Sequence, residues 1–154
     1  MSVRFAVAAF LEPVALDAEL DPEELPLNVV LLDAARTDAG LGEVEAALER
    51  ALAGFAALTA VAGDDELVPG AGEATLLEEA EDFTGVHRAL VAELRPLGVR
   101  VERPERVGAS YRPRVAATDS DRLDRGDEVE ARAVALLDLS EPGVVRVAAQ
   151  FPLI

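Results

Sequence analysis

The sequence contains no cysteine. That excludes disulfides, thiolate nucleophiles and cysteine-based metal sites. It contains no lysine, so all 14 of its basic residues are arginine. Together with the richness in alanine, this usage reads as the codon bias of a GC-rich genome rather than as chemistry. Histidine occurs once, at His87. No apolar run approaches the roughly 18 residues that a membrane-crossing helix needs. The start, Met1 to Val7, lacks a long apolar stretch followed by a cleavage site, so no signal peptide is expected. The expected location is the cytoplasm, or a virion assembled inside a cell. Glycine-rich phosphate loops, Gly-x-Ser-x-Gly elbows and His-Glu-x-x-His motifs are missing as well. The acidic runs Asp64-Asp65-Glu66 and Glu78-Glu79-Glu81-Asp82 lack the alternating, glycine-containing spacing of a calcium loop and read as solvated faces. No metal and no cofactor are expected.

What is abundant is negative charge. There are 30 Asp plus Glu against 14 basic residues, a formal charge of −16. Phosphate neutralisation by basic side chains supplies most non-specific nucleic-acid affinity, so this field argues against nucleic acid and against anionic membranes. It favours solubility, or a basic protein partner. A chain of 154 residues suits one domain, taken here as 1–154, and can bury a substantial core.

The hydrophobic pattern predicts two long helices. One covers residues 41–55, with Leu41, Val44, Leu48, Leu52 and Phe55 on one face and Asp38 as its cap. The other starts at Asp82, places Val86, Leu90, Leu94 and Leu97 on one face, and stops at Pro96 and Gly98. His87 lies beside that apolar stripe and reads as a surface or boundary residue. About eight strands are expected. They fall at residues 3–11, 27–32, 56–62 with a continuation at 66–68, 74–78, 99–101, 111–118, 128–139 and 144–151. Residues 14–26, with Pro22 and Pro26, read as a loop, and 33–40 as a turn region. The apolar end, Phe151-Pro152-Leu153-Ile154, would suit a partner's groove.

Two of these strands stand out. Leu27-Asn28-Val29-Val30-Leu31-Leu32 and Tyr111-Arg112-Pro113-Arg114-Val115-Ala116 are short apolar runs, each with one polar side chain near its start. With their spacing, and with the order of elements, they resemble the two signature strands of the 2H phosphoesterases, the group of 2′-5′ RNA ligases and cyclic phosphodiesterases. The resemblance runs over residues 3–151. It implies an α+β, bilobed fold with two pseudo-repeated lobes, in which two antiparallel sheets flank a central groove and two long helices complete the domain. In that family each signature strand carries His-x-Thr or His-x-Ser. Here Asn28 and Val30 stand at the first motif and Arg114 and Ala116 at the second.

The family's reaction needs one imidazole as base and one as acid, each titrating near the working pH. An amide does not titrate, and a guanidinium stays protonated. Val30 and Ala116 offer no hydroxyl to a phosphate. Losing one general acid or base costs on the order of 10²–10⁴ in rate, and here both are replaced. The expectation is therefore a catalytically inactive protein with a structural or interaction role, through protein partners or self-assembly. Domains resembling this one in actinobacterial phages suggest a capsid or tail component. The alternative is a small-anion or nucleotide-binding protein using Asn28, Tyr111, Arg112 and Arg114 of the vestigial groove. An active ligase or phosphodiesterase comes third. Among so many acids, Arg114 is expected to pair with a carboxylate and close the groove.

Overall fold

The computed structural model describes residues 2–68, 72–116 and 123–153. The elements in chain order are β1 (Val3–Phe10), β2 (Glu19–Leu20), β3 (Asn28–Thr37), α1 (Leu41–Leu52), β4 (Leu58–Val68), β5 (Gly72–Glu78), α2 (Glu81–Leu94), β6 (Arg100–Val101), β7 (Arg114–Ala116), β8 (Glu128–Ala131), β9 (Ala133–Asp138) and β10 (Val145–Pro152). The α+β architecture expected from the sequence is present. All the strand pairs are antiparallel and form one path, β2-β10-β9-β1-β3-β7-β5-β4-β8, with β6 beside β3. The path is one continuous sheet rather than two, and its halves, the two lobes, join at a seam between β3 and β7, where Val29 pairs with Val115.

Both helices cover one face of this sheet. Phe5, Val29, Leu31, Val115 and Leu136 meet Val44, Leu48, Phe83, Val86 and Leu90 there, all at most 2% exposed. The opposite face of the first lobe has its own smaller core. Ala8, Phe10, Ala135, Leu137, Val145 and Val147 lie under Val14, Ala18, Leu20 and Leu25 of the segment after β1. That segment is tied down by its backbone, from Asp17 N–H to Val147 O and from Val147 N–H to Ala18 O.

Several boundaries differ from the sequence expectation. The first signature strand continues to Thr37 rather than turning at Asp33, because β1 and β6 supply ladder partners on both sides. The predicted strand 128–139 is two strands: β8 pairs with β4 and β9 with β1 and β10, so the chain changes lobes at Arg132. Period-two alternation continues across such a corner and cannot reveal it. The strand expected at 111–118 is regular only from Arg114 to Ala116; residues 117 and 118 lie outside the described residues, as do 69–71 of the expected turn.

Helix α1 begins after Gly40, whose N–H donates to the Glu43 carboxylate at 3.0 Å, and not after Asp38. Asp38 instead faces Arg100. The apolar C-terminal end is not offered to a partner at Leu153, which is buried in this chain's own core and donates its N–H to Arg132 O. Ile154 lies outside the described residues. Among the described residues, no helix is long and apolar enough to cross a membrane.

Candidate anion-binding cleft at the motif strands

Strand alternation puts Val29 and Val115 into the helix-side core. Asn28, Val30, Arg114 and Ala116 therefore belong to the other face of the seam. The pairing of Val29 with Val115 sets Val30 beside Arg114 and Asn28 beside Ala116. The side chain of Ala116 lies outside the described residues.

A cavity of about 110 Å³ opens on this face, lined by Val30, Asp33, Ala74, Arg106, Tyr111, Arg112 and Arg114. Asn28 is not among them. Its side-chain amide donates to Pro26 O at 2.9 Å, and it is 9% exposed. Asn28 and Arg114 thus share a face, but Asn28, expected among the anion-binding residues, does not join Tyr111, Arg112 and Arg114 in lining the cavity.

Asp33 and Arg106 were not anticipated. Alternation would send Asp33 away from Val30, since the two are an odd number of residues apart. The β1–β3 register shows why it does not. Val7 pairs with Leu32 and Ala8 with Val30, so Leu31 and Leu32 together oppose one step of β1. Both leucines enter the helix-side core. This bulge resets the alternation and returns Asp33 to the face of Val30. No local sequence signal marks it. Arg106 comes from the loop after β6 and donates to Asp33 at 2.7 Å.

The cleft therefore holds three guanidiniums and one carboxylate among its lining residues, and Arg106 has engaged that carboxylate. Arg112 is exposed and donates to Ala109 O and Tyr111 O. Arg114 is half-buried, and among the described residues no carboxylate lies within ion-pair distance of it. Burial lowers its pKa from the ordinary arginine value and the Arg106 charge pushes the same way, while Asp33 and Glu66 pull it back. A guanidinium remains protonated under such a shift, so the described lining residues carry three positive charges and one carboxylate. The expected closure of the groove by an Arg114 ion pair is not found among the described residues.

Tyr111 closes the inner wall. It is 7% exposed, and its hydroxyl donates to Val30 O at 2.8 Å. Burial pushes its phenol well up, so it stays neutral. Its ring stacks on His87, with centroids 4.0 Å apart and planes 5° from parallel. His87 is a core residue with no exposed surface, not a surface or boundary one. Gly108 N–H donates to Nε2 at 2.8 Å, and Nδ1 lies 2.7 Å from Leu31 O. Only the neutral ring protonated on Nδ1 satisfies both bonds. Neither nitrogen is left for chemistry in the cleft. No group of three or more potential metal ligands gathers among the described residues.

Solved structures carry the same fold at low sequence identity. TT0787 of Thermus thermophilus matches with a TM-score of 0.60 at 20% identity, over 97% of each chain. A protein described as a phosphoesterase matches with a TM-score of 0.58 at 12% identity, over 98% of each chain. Escherichia coli LigT complexed with 3′-AMP matches with a TM-score of 0.53 at 11% identity, over 100% of this chain and 97% of that one. No protein-family model and no curated protein sequence matches. At these identities the likeness establishes the fold alone. This chain has the 2H phosphoesterase-like fold that its motif strands suggested.

Proposed function

We propose that this protein is a catalytically inactive 2H-fold protein whose motif cleft binds a small oxyanion of the phosphate or sulfate class. The observation that carries this reading is Arg114. It stands at a motif position, half-buried, in a cavity with Arg106 and Arg112, and no ion-pair partner occupies it among the described residues. In a chain of charge −16, a cavity whose described lining residues carry three guanidiniums and one carboxylate is suited to an anion from outside. One neighbour in fold is LigT complexed with 3′-AMP, a phosphate monoester. The case for inactivity rests on chemistry. The motif positions supply an amide and a permanent cation, and the one imidazole has both nitrogens engaged in the core. The structural or virion role suggested by the sequence continues to rest on the sequence alone.

A thermal-shift titration with sulfate and with 2′,3′-cyclic nucleotides tests the binding. A ligand that binds only the folded state raises Tm with concentration. Arg114→Ala should weaken the response about tenfold or more, the worth of a charge-assisted hydrogen bond. A response unchanged in Arg114→Ala, or none at all, would overturn the reading.

A further inference from the structure

We infer that His87 is a protonation-controlled clamp that holds the arginine-bearing segment 104–114 against β3. Both ring nitrogens are hydrogen-bonded, one to each side of the clamp. On the β3 side, Nδ1–H donates to Leu31 O. On the segment side, Nε2 accepts from Gly108 N–H, and the ring face packs on Tyr111. Tyr111 in turn reaches back to Val30 O. One imidazole thus bridges the first signature strand to the stretch that carries Arg106, Arg112 and Arg114, the three cations of the cleft. Among the described residues β3 and β7 share one register pair, Val29–Val115, and the Arg106–Asp33 ion pair adds a further side-chain tie between the same two parts.

The clamp can exist only with a neutral ring. A protonated imidazole has no lone pair to accept from Gly108, so adding a proton to Nε2 forces the Gly108 N–H away. Gly108 has φ of +70°, a conformation that glycine adopts without strain, so the loop can rearrange there at little cost. The charged groups around the ring do not oppose this dependence. Arg88 on α2 disfavours a second cation at His87. Tyr111, from the loop side, stays neutral. From β3, Asp33 is engaged by Arg106. Burial is the largest influence and lowers the His87 pKa from 6.5, the bond to Leu31 O raises it back in part, and Arg88 lowers it further.

The sign follows. The unfolded chain takes up its proton near the ordinary value and the folded chain only at lower pH. Folding stability contributed by His87 is complete above about pH 6.5 and falls as pH drops toward the lowered value. The Gly108 bond falls with it.

The effect on ligand binding rests on the anion-binding reading above, and the experiment separates the two. NMR of the intact wild-type protein follows the His87 ring nitrogens and the Gly108 amide from pH 8 downward. Sulfate is titrated at each pH, because it keeps its double charge throughout. The expected result is a ring protonated on Nδ1 at neutral pH. Gly108 amide exchange, corrected for intrinsic pH dependence, should rise about three- to tenfold as His87 protonates, the worth of one hydrogen bond. Sulfate affinity should fall with the same midpoint. In Tyr111→Phe, which keeps the ring stack, the His87 titration and Gly108 release should persist. If Gly108 stays protected while His87 protonates, or if His87 takes up no proton before global unfolding, the clamp is refuted. Gly108 release that tracks His87 with no sulfate binding at any pH would sustain the clamp and overturn the anion reading.

Discussion

The two motif strands occupy equivalent places on either side of the seam, yet they are held in different ways. β3 runs for ten residues with ladder partners on both edges. β7 is regular for only three residues, paired with β3 on one edge and β5 on the other, and the segment leading into it is held by side chains: Arg106 on Asp33, Tyr111 on Val30 O and His87 on Gly108. Backbone ladders spread their hold over many bonds, whereas a side-chain clamp concentrates it in one or two. The first strand should therefore fail through its core, and the second through single polar atoms.

The largest expected effect lies on the β3 side. Leu31 has no exposed surface and sits in the helix-side core. Leu31→Ala should cost about 2–5 kcal/mol of stability by denaturant unfolding, the usual range for a leucine truncated in a packed core. A cost under 1 kcal/mol would show that the bulge, with Leu31 and Leu32 both turned inward, is wrong. On the other side of the seam, Tyr111→Phe removes one hydrogen bond and leaves the ring in place. Its cost should be about 1 kcal/mol, with backbone exchange faster around residues 108–114 and unchanged in β1. Equal loosening in both strands would erase the contrast between them.

Arg114→Ala should change stability less still, since it removes a cation with no ion pair among the described residues while lowering anion affinity. The smallest effect belongs to the ion pair joining α1 to α2, Arg50 with Glu93, whose side chains are 58% and 40% exposed. Arg50→Ala should cost about 0–1 kcal/mol, and less at high salt. A larger loss would mean that the helix pair depends on its surface charges more than on Leu48, Phe83 and Leu90.

How much of this was legible in the sequence depends on how local each cause is. The apolar stripes of α1 and α2 and the turn at Gly98 follow from spacing within a few residues and are where the pattern placed them, although α1 ends at Leu52 and leaves Phe55 outside it; the two motif strands are present with different bounds, Asn28–Thr37 and Arg114–Ala116. The make-up of the cleft was not legible. Asp33 enters it through a bulge set by pairing with β1, and Arg106 arrives from a loop whose path is fixed by Asp33 and by His87 through Gly108. His87 sits one residue past Val86, and helical spacing alone puts it at the border of the stripe. Its burial is decided by Tyr111 and Leu31, which lie 24 and 56 residues away. The lobe change at Arg132 is invisible for the same reason, since both strands keep their alternation and only the partners differ.

The most direct measurement is ³¹P NMR of a 2′,3′-cyclic nucleotide incubated with the protein, because binding and turnover appear in one spectrum. The expected result is a cyclic-diester signal that shifts or broadens with wild-type protein and returns to its free position with Arg114→Ala, with no monoester signal at any time. A growing monoester signal that disappears in Asn28→Ala or Arg114→Ala would contradict it, since proton transfer would then be proceeding without a free imidazole.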